Sequence, residues 1–359
     1  MRLPKLGVVL VAYNSADVIL NCLESLTAAT GVQLHVVVVD NASTDSTPDV
    51  VSAWANGSRL WVSPAELPFA LKASDKPIEI VSPDDLTPVL NGHQERAFSL
   101  IRASVNGGFA AGVNIGLAQL ARDPDIQRFW ILNPDSLVPD GTARAFASFD
   151  AGQFSLMGGR VLYGDEPDRI QTDGGTVNHL TGITSNINWS LDPKKSAAPL
   201  PSDLDFIMGA NMVASRQHYE TAGPMEEGYF LYYEEVDWAF RRNTLPLVYC
   251  PEGVIYHYAG SSIGSGNLSR TASPFSIYFL NRSRMLFVRC FFPSSIVVAL
   301  LYSFGKVFQL LLRGNRTGAQ ALCHATLGMP PPKAIRSILS DDAAYLAFAA
   351  PKIKPFPRE

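Results

Sequence analysis

Two apolar runs with a helical segment between them limit what this chain can fold into more than any other feature. Residues 6–12 form a continuous apolar run and residues 34–39 a Val-rich one, each of strand length and without the alternation of a sheet that faces water on one side. Between them Val18, Ile19, Cys22, Leu23 and Leu26 recur at helical spacing within residues 16–29. A buried strand, a helix and a second buried strand form the unit of a parallel sheet. The expected class is therefore α/β, with helices covering the sheet.

The alternation continues. A helix is expected over residues 46–54, with Ser43 or Thr44 placed to cap it. Strands follow at 98–103 and 129–132, with a helix over 113–121 between them. Residues 55–96 break the pattern. They are rich in Pro and Ser and weakly periodic, and read as an insertion with some local structure, since an unstructured loop of that length is rare in a compact domain. Residues 154–188, rich in Gly and Thr, read as short strands, 186–203 as a flexible loop, and 216–222 as helical. Further on, Val297, Leu300, Leu301, Phe304, Val307, Phe308 and Leu311 share one helical face, with Lys306, Gln309 and Arg313 opposite. The uncharged stretch 290–305 is shorter than the roughly 20 residues a bilayer span needs. An interfacial helix and a helix packed on the protein's own core both fit it. Residues 333–359 read as a short helix and a Pro/Lys tail.

Charge is unevenly spread. From residue 281 onward there are 11 Lys and Arg against 3 Asp and Glu, a net of +8, so the remainder carries −12 of the overall −4. The acidic total argues against nucleic acid as a partner. A basic tail on an acidic body suits peripheral contact with an anionic membrane, or simply solubility. Cys22, Cys250, Cys290 and Cys323 are far apart with no CxxC spacing, which fits neither a zinc site nor a disulfide framework and points to a reducing cytoplasm. The apolar stretch at residues 7–11 is short for a signal segment and reads as the first strand.

The polar residues at strand ends carry the chemistry. In open α/β sheets ligands bind beyond the carboxyl ends of the strands. There lie Ala12-Tyr13-Asn14-Ser15 and Asp40-Asn41-Ala42-Ser43, where Tyr13 can stack on a base and Asp40 can accept from the imide N–H of uracil or thymine. The same residues are also ordinary turn chemistry. The glycines of Asn106-Gly107-Gly108 and Gly112 allow close backbone approach to a ligand. Asn133-Pro134-Asp135 ends the strand at 129–132 in a carboxylate, which suits a hard cation completed by substrate phosphates. His257 follows another apolar run and can complete such a shell as neutral imidazole. On a helix, Glu234 and Asp237 share a face, Asp237 can pair with Arg241, and Glu235 points about 100° away from Glu234, free to take a proton.

In this order the motifs resemble the family 2 glycosyltransferases, in particular the rhamnosyltransferase-like branch. The matching stretches are 8–15, 36–47, 106–117, 132–138, 208–242 and 254–264. The resemblance implies a GT-A fold: a mostly parallel central sheet of Rossmann-like type flanked by helices, spanning residues 1–281 with the 55–96 insertion. A basic, amphipathic helical extension would occupy 282–359. It implies a metal-dependent inverting hexosyltransferase using Mg²⁺ or Mn²⁺ and a nucleotide-diphosphate sugar, with dTDP-rhamnose suggested by the branch. Asp135 and His257 would hold the metal. Ala12, Tyr13, Asn14, Asp40, Asn106, Gly107, Gly108, Asn114 and Asn133 would meet the nucleotide sugar. Glu235 would be the general base, with Glu234 and Asp237 in the same catalytic cluster. Arg282 and Arg284 would lie near diphosphate or acceptor.

Two departures stand out: Asn133 replaces the first Asp of the metal motif, and Glu235 stands where Asp is usual. The acceptor class implied is a glycan or lipid-linked glycan in cell-envelope polysaccharide synthesis, with the enzyme cytoplasmic or peripheral on the inner face of the membrane. Two other readings are a catalytically silent sugar- or glycan-binding GT-A protein and a sugar-nucleotide-forming nucleotidyltransferase. The latter needs a Gly-rich, basic phosphate loop after the first strand, and Ala12-Tyr13-Asn14-Ser15 is not one.

Overall fold

The computed structural model describes residues 3–82, 84, 95–258 and 272–349. Part of the insertion (83 and 85–94), the end of the last matching stretch (259–264) and the Pro/Lys tail from 350 lie outside the described residues.

The opening unit forms as its periodicity requires. Strand β1 (Lys5–Ala12), helix α1 (Ile19–Thr27) and strand β2 (Gln33–Asp40) lead to α2 (Thr47–Asn56). β1 and β2 pair in parallel from Lys5 opposite Gln33 to Ala12 opposite Asp40. Next come β3 (Arg96–Arg102), α3 (Phe109–Ala121), β4 (Arg128–Leu132), β5 (Ser136–Leu137) and α4 (Thr142–Ser148). Short strands β6 (Leu156–Gly158), β7 (Val161–Tyr163), β8 (Ile170–Thr172), β9 (Gly175–Val177) and β10 (Thr184–Asn186) precede β11 (Asn211–Ser215). Then follow α5 (Arg216–Ala222), α6 (Glu234–Phe240), β12 (Val248–Tyr249) and β13 (Ile255–His257). The C-terminal helices are α7 (Pro274–Phe291), α8 (Ile296–Leu312), α9 (Arg316–Leu327), α10 (Lys333–Arg336) and α11 (Asp341–Phe348).

The main sheet has seven strands in the order β12-β6-β11-β4-β1-β2-β3, with β11 antiparallel to both neighbours and the other pairings parallel. Val8, Leu10, Val36 and Val38 point to the side of α1 and α2, and Val9, Val11, Val37 and Val39 to the side of α3. Burying both faces of β1 and β2 contributes roughly 1.5–3 kcal/mol for each Val or Leu. A second sheet, β5-β13-β7-β8, stands beyond the ends of the first.

Four local expectations change. Ser43 and Thr44 do not cap α2. Its N-cap is Ser46, Asp45 Oδ1 accepts from Thr47 N at 2.9 Å, and Ser43 and Thr44 bond Asn14 instead. The helix expected over 113–121 begins at Phe109. The loop at 186–203 is tied down: Arg160, paired with the buried Asp173 at 2.8 Å, donates to Pro193 O and Ser196 O. The boundary expected at 281/282 falls inside α7, whose Phe287 belongs to the core beneath the sheet.

The insertion packs rather than dangles. Trp61, Leu71 and Val81 are buried, and Trp61 Nε1 donates to Asn21 Oδ1 at 2.8 Å. The buried Glu24 on α1 accepts from Trp54 Nε1 (2.7 Å), Ser74 N (2.8 Å) and Lys76 Nζ (3.0 Å). Burial alone would raise its pKa, but these hydrogen bonds override it and hold the carboxyl below its ordinary range.

Candidate active site

A cavity of about 760 Å³ opens at the carboxyl ends of β1 and β4, within the usual size for a small-molecule site. Val11, Tyr13, Ser15, Asn41, Asn106 and Gly108 line one side, and Asn133, Pro134, Asp135, Gln171 and His257 the floor. Phe230 to Tyr232, Glu234 and Glu235 form a third wall, and Phe275, Ile335, Ile338 and Leu339 of the C-terminal part a fourth.

Strand register brings Asp135 and His257 together. β4 ends at Leu132, and the chain turns through Asn133-Pro134-Asp135 into β5, which pairs antiparallel with β13 so that Ser136 faces His257. Tyr258 N donates to Asp135 O at 3.0 Å and fixes the turn against the strand. His257 Nε2 then lies 3.1 Å from Asp135 Oδ1 and 3.0 Å from Asn133 Nδ2. The Nδ1 side of the ring meets Gln171 Oε1 at 2.8 Å. Because that oxygen can only accept, Nδ1 donates to it, and the Asn133 amide N–H beside Nε2 suits the neutral ring whose Nε2 accepts. A lone pair and a carboxylate oxygen converging at this distance form a donor set that a divalent cation fits. Among the described residues no group of three or more His, Cys, Asp or Glu gathers at one point, so further ligands must come from Asn133, water or substrate. Sequence reasoning did not find Gln171; a glutamine within the buried Ile170-Gln171-Thr172 was its one signal.

The nucleotide side is a network of loops. Asn14 Oδ1 accepts from Thr44 N (2.8 Å) and Asp45 N (3.3 Å), joining the loops after β1 and β2. Asn41 Nδ2 donates to Asn106 Oδ1 (3.1 Å) and Gly108 O (2.9 Å), drawing in the loop after β3. Asp40, beside Ala12 in the β1–β2 register, is 4% exposed, and its Oδ1 has no hydrogen-bond partner. A buried, unpaired carboxylate oxygen is costly and a donor N–H would relieve it, but Asp40, like Asn14, is not among the residues that line the cavity.

Other sequence-selected positions support the site from behind. Ala12, fully buried at the end of β1, adds no cavity wall. Gly107 packs on Ala111, and Gly112 faces Val11, where an added Cβ would stand 2.5 Å from Val11 Cγ1. Gly108 has φ +88° and sits so close to Phe230 that a Cβ would lie 2.2 Å from its carbonyl oxygen. At Gly108 and Gly112, then, glycine serves the approach of neighbouring protein as well as any ligand. Asn114 exchanges hydrogen bonds with the Met225 backbone and donates to Glu227, holding the 225–227 turn instead of lining the cavity.

The third wall is backbone under strain. Phe230, Tyr232 and Tyr233 have φ of 66°, 65° and 71°, left-handed values that cost side-chain-bearing residues energy. The surroundings enforce them. Phe109 N donates to Phe230 O at 2.9 Å, Ser283 Oγ to Leu231 O at 2.8 Å, and Tyr233 Oη to Gly182 O at 2.6 Å. α6 thereby starts with Glu234 and Glu235 at the cavity. Glu235 is half-buried, and burial raises its pKa from 4.5 to about 7. Glu234 is buried with Oε2 unpartnered, and burial followed by the neighbouring Glu235 charge pushes its pKa well above the ordinary range. Asp237 does not reach the cavity. It pairs with Arg241 Nε at 2.6 Å and accepts from Tyr229 Oη at 3.0 Å, locking α6 in place. Arg282 and Arg284 are likewise spent inside the protein, Arg282 on the carbonyls of Gly228 and Tyr229, Arg284 on Thr181 O and Ser303 Oγ.

This arrangement of sheet, helices and C-terminal cavity is that of the GT-A fold. Residues 7–64 match the family described as Glycosyl transferase family 2. A 52-residue stretch is 48% identical to the succinoglycan biosynthesis protein ExoO of Rhizobium meliloti, covering 14% of this chain and 15% of that protein. Over 196 residues the chain is 23% identical to the low-salt glycan biosynthesis hexosyltransferase Agl10 of Haloferax volcanii, covering 53% of this chain and 60% of that one. The matches thus span less than two thirds of either relative's length. Among solved structures, GalNAc-T7 with UDP, GalNAc and Mn²⁺ shares the fold at a TM-score of 0.50 and 13% identity, over 82% of this chain and 49% of that one.

Proposed function

We propose that the protein is an inverting, metal-dependent glycosyltransferase. It moves a sugar from a nucleotide-diphosphate donor to a hydroxyl of a glycan or lipid-linked acceptor, in cell-envelope polysaccharide synthesis on the cytoplasmic side of the membrane. The observation that carries this reading is the Asp135–His257 pair at 3.1 Å lining the same cavity as a half-buried Glu235 whose pKa is raised to about 7. A general base poised near 7 is deprotonated at working pH and still able to accept a proton.

Each residue has a task. Tyr13 stacks on the base, and Asp40 Oδ1 accepts from its imide N–H. Asp135 and His257, aimed by Gln171, would hold a divalent cation, with Asn133 as a further donor. When bound, that cation neutralises charge gathering on the departing diphosphate. Glu235 takes the proton of the acceptor hydroxyl. The acceptor oxygen bonds the anomeric carbon as the bond to the diphosphate oxygen breaks, and the nucleoside diphosphate leaves with the electron pair. Attack from the opposite face inverts the centre. The rhamnosyltransferase-like motif order favours dTDP-rhamnose as the donor.

The test is release of nucleoside diphosphate from a panel of sugar nucleotides, with Mn²⁺, Mg²⁺ or EDTA. Metal-dependent release from one donor, abolished in Glu235→Gln, is the expected result. Binding without release would favour a silent sugar-binding protein. Formation of a sugar nucleotide from a sugar phosphate and a nucleoside triphosphate would favour a nucleotidyltransferase.

A further inference from the structure

Helix α8 is built inside out. Its small residues Ala299 and Ser303 are buried, whereas Leu301, Phe304, Phe308 and Leu311 are 42–68% exposed. At 100° per residue these four fall in one narrow stripe along the helix. The exposed Lys306 and Arg313 lie about 160–180° from the midline of the stripe, next to the buried Ala299 and Ser303 on the wheel. A contiguous row of large apolar side chains in solvent marks a surface meant to be covered. The sequence left open whether this helix packs on the protein's own core. Among the described residues, only its narrow side does.

Charge selects the occupant. Among the described residues from 281 onward, the exposed charges are Arg289, Lys306, Arg313, Arg316, Lys333 and Arg336 against Asp341 and Asp342, a net of +4. A second copy meeting this one stripe to stripe would bring one basic region against the other. An anionic surface attracts this region and repels the body, which orients the molecule with the stripe downward.

Geometry also selects the mode. The segment Pro293–Leu312 has the length and composition of a membrane span. Its third side is nonetheless held: Arg284 donates to Ser303 Oγ, and Ala299 packs with Met285 and Val288. Crossing a bilayer would strip a buried guanidinium of its partner and carry Lys306 into hydrocarbon. A helix lying in the interface plane keeps both contacts. We propose that α8 seats the protein on an anionic bilayer, the stripe entering the headgroup boundary while Lys306 and Arg313, on the far side of the helix, add longer-range attraction to the lipid phosphates. This seat does not depend on the transfer reaction.

The full chain should float with vesicles of phosphatidylcholine and phosphatidylglycerol, and less well with phosphatidylcholine alone. Phe304→Glu with Phe308→Glu should abolish flotation. Lys306→Glu with Arg313→Glu should weaken binding to the anionic vesicles by at least about tenfold, given roughly 1 kcal/mol per basic residue. Circular dichroism checks that each pair folds; should the Phe pair not fold, the charge pair, on exposed side chains, decides alone. Failure of the wild type to float with either vesicle overturns the proposal. So does flotation unchanged by the substitutions, or a lipid-free dimer that the Phe pair dissolves.

Discussion

Glu234 and Glu235 are neighbours in the chain and both line the cavity, but Glu234 is buried and Glu235 half-buried, and the proposed base is the more exposed of the two. Glu235→Gln is expected to lower kcat by about 10²–10⁴-fold while donor affinity, read by calorimetry, stays within a few-fold. In the wild type, kcat/KM should rise with pH through about 7 and then level. Stability runs the other way. The ordinary carboxyl of the unfolded chain loses its proton near 4.5 and the folded one near 7, so deprotonation costs the native state more and stability falls as pH rises across that window. Denaturant titrations at pH 5 and pH 8 should show a smaller difference for Glu235→Gln than for wild type. Gln171→Ala should weaken Mn²⁺ binding about 10–100-fold, because it frees the tautomer and orientation of His257; a Mn²⁺ titration followed by electron paramagnetic resonance measures this.

Among the elements, the segment entering α6 is the most demanding. Gly108→Ala would drive a methyl into the Phe230 carbonyl at a left-handed position, and a loss of about 2 kcal/mol or more in denaturant unfolding is expected. On the opposite flank, Glu24 pins the insertion. Its lowered pKa means that this stability is present above about 4.5 and lost as pH falls further, so proteolysis within residues 57–82 should quicken in acid and in Lys76→Ala. The elements legible in the sequence were those with an unbroken apolar run, β1, β2 and β4, or a clear helical period, α1 and α8, together with α2, β3 and α5. α7 escaped notice because it is buried on several sides and carries two arginines inward, which erases any single apolar stripe. α9 escaped because its buried face is largely Ala and Gly, whose weak hydrophobic contrast leaves no period to read.

At the scale of the molecule, the proposed metal site joins residues more than a hundred positions apart through a two-residue strand. Asp135 and His257 could be nominated singly, but the antiparallel β5–β13 register that joins them, and the Gln171 behind them, is a non-local choice that no window of sequence contains. With two charged or imidazole donors gathered there among the described residues, Mn²⁺ alone should raise the thermal midpoint little. Mn²⁺ with the nucleoside diphosphate should raise it by more than the sum of the two, since the phosphates complete the shell; scanning calorimetry tests this.

The hydrogen bonds from Arg282 and Ser283 to the backbone at 228–231 also bear on how such proteins can be recombined. The helix that precedes the one proposed to rest on a membrane is also the bracket on which the proposed base is mounted. A chimera joined at residue 281, with a relative's C-terminal part grafted on, would not merely change its anchorage. It would keep a working donor pocket and lose the alignment of its base, binding nucleotide normally while turning over slowly. Helix α7 is therefore the hinge-pin of the assembly, and graft points that preserve function lie before Pro274 or after Phe291.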